Sequence, residues 1–167
     1  TPCGTLFPYT TLFRSIIESL IEVSLDSNMP LVLPLHPRTV NALERSNPEL
    51  LQRIQKNEKI IVLPPVSYLR MILLEKNSAI ICTDSGGVHK EAHFFKRPCL
   101  VLRSETEWIE LVTNGTAVLV DAGRDKIIEG FRSMVDAKDL EYPGFYGNGK
   151  AADFMVAEIN ELLKYQG

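Results

Sequence analysis

Four polar groupings in this sequence carry side chains able to do chemistry, and each directly follows a short apolar run. His36-Pro37-Arg38-Thr39 follows Leu31–Leu35, and Pro64-Pro65-Val66-Ser67-Tyr68 follows Lys59–Leu63. Asp84-Ser85-Gly86-Gly87 follows Ala79–Thr83, and Arg103-Ser104-Glu105-Thr106-Glu107 follows Cys99–Leu102. The sharpest is Ser85-Gly86-Gly87, at a strand-to-helix junction, where glycines admit a ligand close to the backbone and the first free N–H groups of a helix favour an anion such as phosphate. Its plainer reading is an N-cap serine with two glycines easing a tight turn. It is neither a GxGxxG turn nor a P-loop. Glu91, about a turn further on, could accept hydrogen bonds from sugar hydroxyls or be a solvated helix-face charge. His36, flanked by Pro34 and Pro37, could contact a phosphate, move a proton or cap a helix. Arg38 and Arg103 can grip phosphate oxygens in pairs of hydrogen bonds, or serve as surface ion pairs.

Other residue types point away from chemistry. His89 and His93 stand at i, i+4, a metal-capable spacing, but no third ligand lies near and the zinc-protease order His-Glu-x-x-His is absent, so no metal is expected. Cys82 and Cys99 fall inside apolar strands and read as core thiols. Trp108 reads as a packing residue in preference to an aromatic lid.

The elements that must position these groups alternate in kind. Strands are expected at Leu31–Leu35, Lys59–Leu63, Ala79–Thr83, Cys99–Leu102 and Ala117–Val120. Helical spacing covers Ile16–Asn28, Thr39–Arg45, Pro48–Gln55, Val66–Lys76, Gly86–Lys96, Glu107–Asn114, Lys126–Val135 and Lys150–Lys164. Short apolar strands each followed by a helix predict an α/β fold: a parallel sheet with helices on both faces, ligands binding at the carboxyl ends of its strands. The stripe Ala151, Met155, Ile159 and Leu162 is read as a core-packing face. Only Lys138–Gly149 is a long loop rich in Gly, Pro and aromatic residues.

Composition sets the outer limits. The chain has 167 residues, 45% hydrophobic and 23% charged, which is room for one full core. A net charge of −3 lacks the basic footprint of a nucleic-acid binder. No apolar run reaches membrane-spanning length. Three cysteines make no disulfide framework and suggest a reducing, cytoplasmic setting. Residues 1–15 show no helical or strand period and no secretory signal, and Thr5–Ser15 resembles the conceptual translation of a sequencing-adaptor oligonucleotide. They are set aside as non-native, which leaves 16–167 as one domain and makes the authentic chain, from Ile16, an expected fragment.

Taken together, five blocks resemble the non-hydrolysing UDP-N-acetylglucosamine 2-epimerase family in its carboxy-terminal half: His36–Thr39, Thr83–Ala92, Lys96–Arg103, Thr106-Glu107 and Tyr146–Ala151. The resemblance implies a Rossmann-like domain, the second of a glycosyltransferase-B architecture, with an amino-terminal domain missing. It implies that Ser85, Gly86 and Gly87, with Arg38, bind the diphosphate of a UDP-sugar and that Glu91 binds the ribose. His36 would be needed for activity, Met71 would lie on the uracil side where the family often has an aromatic, and Arg103 and Glu107 would lie at the domain interface of the active site. The last helix would cross to the first domain. The implied reaction eliminates UDP by proton abstraction at C2 and adds it back to the 2-acetamidoglucal, interconverting UDP-GlcNAc and UDP-ManNAc without cofactor or metal. The implied full-length protein is a homodimer, and the acid/base carboxylates would lie in the missing domain.

One departure bears on the sugar. Where the family commonly has Arg-Asp-Thr-Thr-Glu-Arg-Pro-Glu, this chain reads Arg103-Ser-Glu-Thr-Glu-Trp-Ile-Glu110, which looks more like the branch acting on UDP-2,3-diacetamido-2,3-dideoxyglucuronate. Two other readings stay open: a glycosyltransferase-B sugar transferase, and a non-catalytic flavodoxin-like module. The latter would want acidic residues after the first strand, where His36 and Arg38 stand.

Overall fold

A computed structural model describes residues 11–164. The element order is α1 (Thr11–Ser27), β1 (Leu31–Pro34), α2 (Pro37–Ser46), α3 (Pro48–Lys56), β2 (Ile60–Leu63), α4 (Tyr68–Asn77), β3 (Ile81–Thr83), α5 (Gly86–Phe94), β4 (Cys99–Val101), α6 (Ile109–Thr113), β5 (Ala117–Leu119), α7 (Arg124–Val135) and α8 (Ala151–Lys164). Every expected strand and helix is present, within a few residues of its expected ends. Punctuation by proline and asparagine explains that agreement. Pro37 and Pro48 open α2 and α3 at the first helical position, where the missing N–H costs nothing, and Asn47 caps α3 by accepting from the Leu50 N–H at 3.2 Å. Residues 1–10 of the segment set aside lie outside the described residues. Of the rest, Thr11–Ser15 continue α1 towards its N-terminus, and the Ser15 hydroxyl donates to the Ala122 carbonyl at 2.8 Å.

All strand pairs are parallel, but the ladder is divided. β1 pairs with β2, and β3–β4–β5 form a separate three-stranded sheet. The expected single sheet is therefore two hydrogen-bonded sheets joined by side chains. α1 makes that junction. Its Ile16, Leu20 and Val23 enter the core with Leu100, Val120, Ile127 and Phe131, while Ile17 and Ile21 enter the core of Leu43, Leu50, Ile54 and Ile60. Each buried aliphatic chain is worth roughly 1.5–3 kcal/mol. The exposed ion pairs Arg124–Glu22 and Arg132–Asp26 between α7 and α1 are worth under about 1 kcal/mol each, so apolar burial holds the halves together.

Alternation along β4 covers the three-stranded sheet on both faces. Leu100 and Leu102 face α1 and α7, whereas Cys99 and Val101 pack with Ala92 of α5 and Leu111 of α6. The β1–β2 sheet is covered on one face only. Val32 of β1 and Ile61 and Val62 of β2 remain 37%, 45% and 38% exposed, which corrects the expectation of helices on both faces for this part of the sheet. The stripe on α8 is corrected too. No residue of α8 is buried, and Met155, Ile159 and Leu162 are all exposed, because no other described element packs on that helix.

Closest approach of a helix to the sheet falls at Gly130 of α7. A Cβ there would sit 2.8 Å from Val120 Cγ1 and 3.2 Å from Leu100 Cδ2, both fully enclosed side chains. Helix propensity favours alanine by about 1 kcal/mol, but overpacking costs about 1–3 kcal/mol. Gly130→Ala is thus expected to lower the thermal midpoint; a raised midpoint would show that α7 can move off the sheet without cost.

Candidate functional site

The carboxyl edge of the three-stranded sheet leads into α5, which Ser85 caps with extended backbone (φ −89°, ψ 124°). The Ser85 Oγ accepts from the Val88 N–H at 3.5 Å, the Ser85 carbonyl accepts from the His89 N–H at 3.0 Å, and the Ser85 N–H donates to Thr83 Oγ1 at 3.0 Å. Gly86 and Gly87 are therefore the first-turn residues whose N–H groups have no intrahelical acceptor. Neither glycine has a positive φ, so easing a turn does not account for them. A Cβ on Gly86 would lie 3.2 Å from Glu107 Oε2 and 3.6 Å from Trp108 Nε1, which explains that glycine by crowding. At Gly87 a Cβ would meet only Ser85 Oγ at 3.7 Å, so no neighbour in the protein demands glycine there.

The segment after β4 fastens this turn. Trp108 Nε1 donates to the Gly86 carbonyl at 2.9 Å, and the Trp108 N–H donates to Thr106 Oγ1 at 3.1 Å. That hydroxyl in turn meets His89 Nδ1 at 3.1 Å. Lys90 Nζ lies 4.3 Å from the Trp108 ring centroid and 4.1 Å from that of Tyr146, a cation held between two aromatic faces. Tyr146 donates to Glu110 at 2.8 Å. Beside the turn Arg103 grips Glu107 in a two-pronged ion pair at 3.1 Å, and that guanidinium holds the Glu107 carboxyl below its usual range.

The histidines of α5 are spent on packing. His89 is buried, and that burial pushes it below its ordinary value. His93 Nε2 meets the Pro143 carbonyl at 2.8 Å, and its ring stacks on Phe145 at 5.5 Å. The loop 138–149 is thereby clamped to α5. Among the described residues no cluster of three metal-ligating side chains occurs. Burial pushes the Cys82 thiol up to about 12 and raises that of Cys99, so both stay protonated and unreactive.

Glu91 is half-buried and accepts from the Tyr68 hydroxyl at 2.9 Å. Tyr68, Met71 and Glu75 recur at i, i+3 and i+7 on α4, one face directed at α5. The structure thus brings Ser85, Gly86, Gly87, Glu91, Arg103 and Glu107 to one edge, with Met71 on the neighbouring helix. His36 and Arg38 stand at the carboxyl end of β1, in the other sheet. His36 Nδ1 accepts from the Arg38 N–H at 3.2 Å and caps α2, which leaves Nε2 to carry the proton of the neutral ring. Both side chains are exposed, and no hydrogen bond ties either to the turn 85–87. Sequence reasoning placed Tyr68 at the strand edge without a role, and missed Glu75 and the anchoring bond of Trp108. The i, i+7 spacing of Tyr68 and Glu75 was the available signal, although nothing in it named the neighbour they would meet.

Comparison with known proteins shows the family and the fold. The family model described as UDP-N-acetylglucosamine 2-epimerase matches residues 7–160. A Pseudomonas aeruginosa UDP-2,3-diacetamido-2,3-dideoxy-D-glucuronate 2-epimerase is 44% identical over 148 residues, 89% of this chain and 39% of that protein. The UDP-GlcNAc 2-epimerase structure from Methanocaldococcus jannaschii superposes with a TM-score of 0.82 at 34% identity, covering 90% of this chain and 41% of that one. The same enzyme in complex with UDP-GlcNAc and UDP superposes at 0.79, again at 34% identity over 90% of this chain and 41% of that one. The chain spans about two fifths of the length of the curated relatives it matches.

Trp108→Phe removes the indole donor while keeping an aromatic ring. It is expected to cost about 1–2 kcal/mol in chemical denaturation, from the lost hydrogen bond and the smaller ring. Unchanged stability would show that the indole does not hold the turn.

Proposed function

The chain belongs to the UDP-N-acetylglucosamine 2-epimerase family, and from that membership we propose that it is the UDP-binding domain of a UDP-sugar 2-epimerase. The observation that carries the reading is the helix end at Ser85-Gly86-Gly87, with two first-turn amides that have no intrahelical acceptor and a glycine at 87 that no protein neighbour demands. The diphosphate sits there. Glu91, one turn on, takes the ribose hydroxyls, and Met71 on α4 lies on the uracil side. Arg38 adds positive charge from the other sheet, and His36 stands at the same edge as the activity-bearing histidine. Arg103 and Glu107 border the turn on the side where a second domain closes.

The chemistry that follows is elimination of UDP with loss of the C2 proton, then re-addition after protonation from the opposite face. Amides and arginines that bind a diphosphate more strongly than an uncharged glycal favour departure of the nucleotide, which is differential stabilisation along the reaction. The acid/base carboxylates are assigned, as the family resemblance implies, to an amino-terminal domain of the full-length enzyme. Domain closure would keep water from the glycal. The full-length enzyme is taken to be a homodimer in the cytoplasm. In support of the latter, both described cysteines are free thiols, and no described helix is long and apolar enough to cross a membrane.

For the sugar, interconversion of UDP-GlcNAc and UDP-ManNAc is the family's general reaction. A second reading, UDP-2,3-diacetamido-2,3-dideoxyglucuronate, is favoured by the Glu107-Trp108 pair and by the 44% identity to the Pseudomonas aeruginosa relative, against 36% to the Methanocaldococcus jannaschii epimerase.

Calorimetry tests the nucleotide site. UDP is expected to bind the chain weakly, Ser85→Tyr is expected to lose at least roughly tenfold in affinity, about 1.4 kcal/mol, and UDP-GlcNAc is not expected to be turned over. Equal heats for the two proteins would remove the site from Ser85, and epimerisation by the chain alone would remove the need for a second domain.

A further inference from the structure

Glu75 is the one buried carboxylic side chain among the described residues. It is 4% exposed, no N–H or O–H of another residue donates to either of its oxygens, and it takes part in none of the described ion pairs; the group it meets is the Glu91 carboxyl. An ionised carboxylate in that position would carry an uncompensated desolvation penalty. The cheaper state is the protonated acid, and burial followed by the charge of Glu91 pushes the group up to about 7. A protonated carboxyl has one O–H to donate. The titratable groups facing it are Glu91 on α5, Tyr68 on its own helix and the Cys99 thiol of β4, which stays neutral. Glu91 is the only carboxylate acceptor among them. Tyr68, on the same face of α4, already donates to Glu91 Oε1 at 2.9 Å.

Resting on the ribose role of Glu91 given above, we propose that Glu75 is a positioning residue: carrying its proton, it donates to the Glu91 carboxylate and, with the Tyr68 hydroxyl, aims it at the two vicinal hydroxyls of a nucleotide ribose. A carboxylate has about four lone-pair sites, enough for two donors from α4 and two from a ribose. Two acids from neighbouring helices then share one proton, as like charges in close quarters require. The sign of the pH dependence follows. Below about pH 7 Glu75 is protonated and Glu91 is held; as pH rises through that value the proton leaves, two carboxylates repel, and the ribose loses its oriented acceptor.

The ratio of UDP affinity to 2′-deoxy-UDP affinity reads this directly, because ionisation of the phosphates, common to both ligands, cancels in it. Wild type is expected to prefer UDP at about pH 6, and the ratio is expected to fall roughly three- to tenfold by about pH 8.5. Glu75→Gln, neutral and still a donor, should keep the high ratio at both pH values, and Glu75→Leu the low ratio at both, in samples shown folded by thermal melting. If wild type shows no preference for UDP at about pH 6, the ribose role of Glu91 fails and the proposal fails with it. If wild type discriminates but Glu75→Leu retains the high ratio, or Glu75→Gln keeps the wild-type pH slope, the positioning role alone is overturned.

Discussion

Two amides at the start of α5 must be kept unpaired and yet fixed, and much of the three-stranded half of the domain answers to that constraint. An unpaired helix end attracts whatever acceptor can reach it, including its own side chains. Here the Ser85 hydroxyl serves Val88, one residue too far along to occupy Gly86 or Gly87. The indole of Trp108 holds the carbonyl side of Gly86, and Glu107, whose carboxylate would otherwise be a competing anion, is engaged by Arg103. The loop 138–149 closes behind, with Tyr146 and Trp108 enclosing Lys90 and Pro143 engaging His93. These contacts stiffen the turn without entering the space in front of it.

The layout of the core serves the same end. Strand β4 is buried on both faces, so the segment that leaves it at Arg103 starts from a rigid support. The β1–β2 sheet, which carries His36 and Arg38, is tied to that support by side chains, those of α1 and Leu31 of β1, and by no strand ladder. The turn 85–87 rests on one sheet and His36 on another, so their separation can change without breaking a strand ladder. The exposed apolar stripe of α8 has no cover within the described residues, in keeping with a helix that the family resemblance sends across to another domain.

Much of this was legible in the residues. Apolar runs broken by Pro, Gly and Asn delimited the strands and helices, because each break acts locally on backbone geometry. Ser85-Gly86-Gly87 stood out for the same reason: a strand, two glycines and a helix in direct succession. The division of the sheet was not legible, since the apolar pattern of β1 is the same whether its neighbour is joined by hydrogen bonds or by side chains. Nor was the exposure of Val32 and Ile61, or of the α8 stripe, because an apolar face announces that something covers it and not what or where. His36 left capping and phosphate contact undecided from sequence, and the structure shows the cap. Glu75 carried only its i, i+7 spacing from Tyr68, and a glutamate on a helix reads as solvated until its neighbours are known.

Amide chemical shifts tested in a nitrogen-15 titration of the chain with UDP address the central claim most directly. Large, saturable shifts of the Gly86 and Gly87 amides, with smaller ones on α4 and at Glu91, are the predicted result. Unmoved Gly86 and Gly87 resonances, with shifts confined to the hollow lined by Glu22, Arg124 and Arg132, would contradict it.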